Sequence, residues 1–255
     1  MSKCVLEAHR GVGTDAPENT IAAFRLAASQ GYGMIETDPK FTSDGVPVLL
    51  HDRTVNRTGR DPDGSKIETP TEISVLTFAE ARRLDFGVFM GEKFRGEQLP
   101  SLDEALSFAK EYRMPLKIDN VLASANDNEL ETFFDIVEKS GAEKYVGFTA
   151  SDIGFIKKIL SRFPESVIHF DGVVSDKSLS ALSALVPKKQ LVVWMRFDNP
   201  STSWNHTPPV NAESAEKIHR IGKLGVWLLR EKSELDDAER LFSADYAETD
   251  GTLKP

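Results

Sequence analysis

Histidines and carboxylates cluster early in this chain, and their spacing suits proton transfer beside a cation. Glu36 and Asp38 stand two apart in an apolar run, so on a strand both would project from one face. Two inward carboxylates that close repel each other unless a cation lies between them. Oxygen-only ligands suit one Mg2+ or Ca2+ rather than zinc. Asp119, ending a later apolar run, offers a third carboxylate. The alternative is a set of solvated surface acids. His9 and His51 also end apolar runs. Two imidazoles at converging strand ends suggest a base and an acid, because imidazole titrates near neutral pH. Arg10 would clamp phosphate oxygens through its planar fork or make an outward salt bridge. Asp52 would orient His51 or act as a cap. His169, His206 and His219 lack such neighbours and read as structural.

The elements that must position these residues are short apolar runs separated by helical patterns. Candidate strands are Val5–Ala8, Gly33–Asp38, Val46–Leu50, Pro115–Asp119, Lys144–Phe148, Val167–Phe170, Leu191–Met195, Gly225–Leu229 and Asp245–Thr249. Between most of them apolar residues recur at spacings of three and four, as in Leu102, Ala105, Leu106 and Ala109. Strands alternating with helices imply a parallel sheet. Only seven residues separate Asp38 from Val46, too few for a parallel crossover. Asp44-Gly45 is a two-residue hairpin signal, so Val46–Leu50 should return antiparallel and leave eight parallel strands. In that register Ser43 faces Val46, and His51 lies opposite Asp38 with the two Cβ atoms about 5 Å apart. A slip of one residue would send His51 to the other face.

The expectation is an α/β fold, a single (β/α)8 barrel over residues 1–255, with a doubly wound open sheet as the alternative. Barrel sites form at the C-terminal ends of strands, where these residues lie. Residues 52–100 are loop-rich and are expected as an insertion over the barrel mouth. Asn199 to Val210, with Trp204 and three prolines, is a second long loop that either covers the site or is a surface excursion.

Composition narrows the function classes. A chain of 255 residues with 40% hydrophobic and 28% charged residues can bury a core without disulfide or metal. The single cysteine, Cys4, excludes an intrachain disulfide and fits a reducing compartment. Met1 to Arg10 holds no apolar leader, and no stretch approaches the roughly 18 apolar residues of a membrane span. A cytoplasmic protein without stable membrane association is expected. The net charge of −9 argues against nucleic-acid binding, which relies on a basic footprint. That charge suits an anionic substrate if a divalent cation sits among the carboxylates.

In order along the chain, His9-Arg10-Gly11, Pro17-Glu18-Asn19-Thr20, Glu36-Thr37-Asp38, Thr42-Ser43-Asp44-Gly45-Val46-Pro47-Val48 and His51-Asp52 resemble the glycerophosphodiester phosphodiesterase family. Fainter likeness returns at Leu99 to Glu104, Leu116 to Asp119, Val226-Trp227 and Thr249-Asp250. The resemblance implies a TIM barrel with His9 and His51 as the acid–base pair, Arg10 on the phosphate, and Glu36 and Asp38 as ligands of one divalent cation. It implies a small-molecule phosphodiester substrate, cleaved to an alcohol and sn-glycerol 3-phosphate, and places Trp227 at the substrate pocket. Asn19 and Thr20 are expected to cap the first helix, with Glu18 bordering the site.

Three departures from the family pattern touch that pocket. Where the family has Ile-Glu-Ile-Lys, this chain reads Ile118-Asp119-Asn120-Val121. Asp119 keeps the ligand type with one methylene less, and Val121 replaces a lysine. Lys117 shares the inward face with Asp119, so it is expected to supply the missing cation from deeper in the barrel; a lysine facing the helix layer is the alternative. Val226-Trp227-Leu228-Leu229-Arg230 stands where the family has Trp-Thr-Val-Asn. The expected function is metal-dependent hydrolysis of a glycerophosphodiester. The alternatives are a sugar-phosphate diester, a phosphoinositide or a lysophospholipid as substrate, or a non-catalytic phosphate-ester binding protein.

Overall fold

The structure, a computed structural model, describes residues 4–255, so the first three residues of the N-terminal stretch read above lie outside the described residues. In chain order the first half runs β1 (Val5–Ala8), α1 (Ile21–Gln30), β2 (Met34–Thr37), β3 (Pro39–Phe41), β4 (Pro47–Leu49), α2 (Phe78–Ala81), α3 (Leu102–Tyr112) and β5 (Leu116–Ile118). The second half alternates α4 (Asp127–Ser140), β6 (Val146–Ala150), α5 (Ile153–Arg162), β7 (Val167–Phe170), α6 (Asp176–Leu185), β8 (Leu191–Arg196), α7 (Ala212–Ile221), β9 (Lys223–Trp227), α8 (Lys232–Phe242) and β10 (Tyr246–Thr249). Eight strands close a parallel barrel in the order β1-β10-β9-β8-β7-β6-β5-β2. Side-chain caps start most of the surrounding helices: Thr20, Ser101, Asn126, Asp152, Ser175 and Asn211 each accept a backbone N–H of the first turn.

The main core lies between barrel and helices, where Leu102, Ala105, Leu106 and Ala109 of α3 are buried as their spacing requires. The barrel interior is different, because Glu7, Glu36, Lys117, Thr149, His169, Trp194 and Glu248 are buried on its strands. Trp194 fits because its register neighbour on β9 is Gly225; a Cβ there would overlap the indole.

β3 and β4 form a separate two-stranded antiparallel sheet. Its register pairs Pro39 with Leu49, Lys40 with Val48 and Phe41 with Pro47, one residue away from that of a two-residue turn. The loop is Ser43-Asp44-Gly45: Thr42 N–H donates to the Val46 carbonyl at 3.1 Å and Gly45, at φ 78, takes the left-handed position. The Asp44 carboxylate is occupied elsewhere, accepting the Thr42 hydroxyl at 2.6 Å and the Phe78 N–H at 2.9 Å. Leu50 rather than His51 therefore meets Asp38, donating its N–H to the Asp38 carbonyl at 2.8 Å. His51 lies in the bend beyond β4, where the pleat no longer dictates its direction.

Residues 52–100 do not line the cavity at the barrel mouth. With the hairpin they build a small core of their own from Val48, Leu50, Val55, Ile73, Ala81, Phe86 and Leu99. Among the described residues no helix is long and apolar enough to cross a membrane.

Candidate active site

His9, Arg10, Glu36, Asp38, His51, Lys117, Asp119 and Trp227 line one cavity of about 380 Å3 at the C-terminal ends of the strands. A larger groove of about 920 Å3 beside α1 and α3 contains charged side chains but no histidine.

The turn after β1 holds the first part of the site. Arg10 at φ 54 and Gly11 at φ 80 reverse the chain there. The Arg10 N–H donates to Glu36 Oε2 at 3.0 Å, its Nη1 donates to Glu18 Oε1 at 3.1 Å, and its Nε lies 3.4 Å from Asp38 Oδ2. His9 Nε2 is 3.9 Å from Glu36 Oε2. Asn19 does not cap α1. Thr20 does so alone, while Asn19 Nδ2 donates to Asp38 Oδ2 at 2.8 Å and its Oδ1 accepts the Thr37 hydroxyl at 2.6 Å. Asn19 stands in the left-handed region at φ 57, which turns its amide away from the helix and toward the site.

The hairpin delivers the second part. His51 Nδ1 and Asp52 Oδ1 are 2.6 Å apart, and Arg57 joins Asp52 to Glu18 with a bond of 2.7 Å to each. Arg57 was invisible to sequence reasoning, since nothing in its surroundings marks it. Hydrogen bonds from Arg57 and His51 hold the Asp52 carboxyl down at about 2 despite partial burial. Burial lowers the His9 imidazole. Burial, with Asp38 and Asp119 nearby, pushes Glu36 well above the usual carboxylate range; burial and Asp38 likewise raise Asp119.

Glu36, Asp38 and Asp119 supply hard oxygen donors, and Glu36 and Asp119 are raised by burial and then by neighbouring carboxylate charge, which fits a hard divalent cation in donor chemistry and in charge. Their spacing is not that of a closed shell: among the described residues no group of three or more His, Cys, Asp or Glu is gathered to ligand distance. Each carboxylate leans on the protein instead, Glu36 and Asp38 as described and Asp119 on the Val121 N–H at 3.2 Å.

Lys117 lies deeper. Its Nζ is 2.6 Å from Glu7 Oε1 and 2.7 Å from Glu248 Oε2, and it sits 3.8 Å from the centre of the Trp194 ring. Burial opposes the ammonium charge, yet Glu248 and Glu7 hold it above the usual lysine range. Against burial, Lys117 and His9 bring Glu248 down to about 2, while burial leaves Glu7 raised. The inward parity of Glu7 along Val5–Ala8 was the available signal for this triad. Arg230 turns away to donate to Asp250 at 3.0 Å. The Asn199–Val210 loop reaches the cavity with Ser201, Trp204 and Asn205. Asn199 anchors it, donating to the Leu228 carbonyl at 3.0 Å.

A closed parallel barrel with imidazoles and carboxylates lining a cavity at its C-terminal mouth is a TIM barrel with a candidate active site where that fold places one. The profile of the glycerophosphoryl diester phosphodiesterase family matches residues 9–219. The chain belongs to that family. It is 31% identical over 176 residues to a glycerophosphodiester phosphodiesterase of Caldanaerobacter subterraneus, covering 68% of this chain and 69% of that one. It is 42% identical over 114 residues to glycerophosphodiester phosphodiesterase 1 of Mus musculus, covering 44% of this chain and 32% of that one. The chain spans about a third of the length of the mammalian relatives it matches. Among solved structures, an Oleispira antarctica phosphodiesterase in complex with the product sn-glycerol-3-phosphate superposes with a TM-score of 0.75 at 20% identity, covering 97% of this chain and 93% of that one. A glycerophosphoryl diester phosphodiesterase of Silicibacter pomeroyi gives a TM-score of 0.76 at 19% identity, covering 98% and 90%. These two likenesses establish the fold.

Proposed function

We propose that this chain hydrolyses a glycerophosphodiester to an alcohol and glycerol phosphate, with His9 and His51 as the acid–base pair. The observation that carries this reading is that both imidazoles share one cavity with Glu36, Asp38 and Asp119. The attacking hydroxyl, from water or from the substrate's own glycerol, forms a new bond to phosphorus as the bond to the alcohol breaks. A cyclic phosphate formed by the glycerol is then opened by water. One imidazole takes the proton released by the attacking oxygen, and the other gives a proton to the departing oxygen. Arg10, braced by Glu18 and Asp38, presents its guanidinium to the phosphate oxygens. Lys117 places a positive charge in the cavity floor, and Trp227 forms part of the wall. One divalent cation, Mg2+ or Ca2+, would be held by Glu36, Asp38 and Asp119 and would neutralise charge on a phosphate oxygen. The product bound in the Oleispira antarctica phosphodiesterase supports glycerol phosphate as the product class.

Turnover of a chromogenic phosphodiester tests the reading. His9→Ala and His51→Ala should each lower kcat by about 100-fold or more, within the range of general acid–base contributions. A variant keeping more than about a third of the wild-type rate overturns the pairing. A chelator should abolish turnover, and calorimetry should show Mg2+ or Ca2+ binding that Glu36→Gln weakens.

A further inference from the structure

The mouth cavity has two opposed walls. One carries His9, Arg10, Glu36, Asp38 and His51. The other, from the ends of β6, β7 and β9 and the loop after β8, carries Thr149, Asp171, Trp204 and Trp227, to which the mechanism proposed above gives no proton to carry. Asn120 Nδ2 donates to Asp171 Oδ2, while Asp171 Oδ1 is buried with no hydrogen-bond partner among the described residues. The Thr149 hydroxyl is likewise buried and without a partner among them. Trp204 and Trp227 lie 5.9 Å apart between ring centres, inclined at 40°, and Trp204 is 70% exposed.

A buried acceptor, a buried hydroxyl and an open aromatic face on one wall match a polyhydroxylated ring. Its hydroxyls donate to Asp171 Oδ1 and exchange hydrogen bonds with Thr149, while its C–H face lies on an indole. A quaternary ammonium suits tryptophan and carboxylate charge, but brings no donor for Oδ1 and nothing for Thr149. An acyl chain satisfies neither atom. We propose that this wall binds the leaving alcohol and selects a polyol ring; the inference rests on the hydrolysis proposed above and names its substrate class.

Two diesters that share the glycerol arm, glycerophosphoinositol and glycerophosphocholine, test it. Binding to His51→Ala, followed by tryptophan fluorescence, should favour the inositol diester by about tenfold or more. In turnover by otherwise wild-type enzyme, Trp204→Ala and Thr149→Val should each lower the inositol-to-choline ratio of kcat/KM by about fivefold or more. Equal binding, a preference for choline, or a parallel loss on both diesters overturns the assignment. A binding preference without turnover of either diester overturns the hydrolysis alone; turnover without preference overturns the polyol wall alone.

Discussion

Nδ1 of His51 lies 2.6 Å from Oδ1 of Asp52, its neighbour in sequence. That contact selects the tautomer of the ring and leaves Nε2 as the nitrogen for the proton transfer proposed above. Asp52→Asn should therefore lower kcat by about tenfold or more with KM little changed. Steady-state kinetics that show an unaltered kcat would remove the orienting role. Because Arg57 and His51 hold Asp52 down to about 2, its stabilising effect is present above its ordinary range near 4 and is lost as pH falls toward 2.

Asn19 is expected to matter twice, through its backbone and through its amide. Asn19→Ala loses the bonds to Asp38 and Thr37 and places alanine at φ 57, for a combined cost of about 1–3 kcal/mol. Asn19→Gly relieves the backbone and isolates the amide. Both variants should lose about tenfold in kcat/KM. Thermal unfolding should separate them, with glycine the more stable; an alanine variant as active as wild type would show that Asp38 needs no brace.

Lys117→Met leaves Glu7 and Glu248 facing each other without a cation, a change worth about 3–5 kcal/mol for a buried pair. In the wild type, Glu248 contributes stability above its ordinary value near 4.5 that is lost as pH falls toward about 2. Glu7, raised by burial, has the opposite dependence and regains stability as pH falls. Without the lysine both acids favour protonation, so the loss measured by urea unfolding should be large at pH 8 and smaller at pH 5. Equal losses at the two pH values would refute this account. The folded fraction should also show kcat/KM lowered about tenfold; an unchanged value would end any role for Lys117 in binding.

The barrel was legible because its code is local. Val5–Ala8 and Val167–Phe170 have the expected bounds, and the short gap between Asp38 and Val46 separated a hairpin from the parallel set. The hairpin register was not legible, because the Asp44 side chain binds Phe78, far away in sequence, and draws the turn into a three-residue form. Asn19 read as a cap because Asn next to Thr at a helix start usually is one; only the left-handed backbone shows otherwise. Lys117 was placed inward by strand parity, but its partners on β1 and β10 are joined to it by barrel closure, which no local pattern records.

His9 follows a barrel strand, whereas His51 follows β4, which packs Leu49 on the main core and Val48 on the smaller core of Leu50, Val55, Ile73 and their neighbours. The two imidazoles are thus carried by different strands, and the Arg57 bonds to Glu18 and Asp52 join the two carriers near the mouth. Arg57, Glu18 and Asp52 do not line the cavity, so the placement of His51 draws on side chains that a substrate never meets.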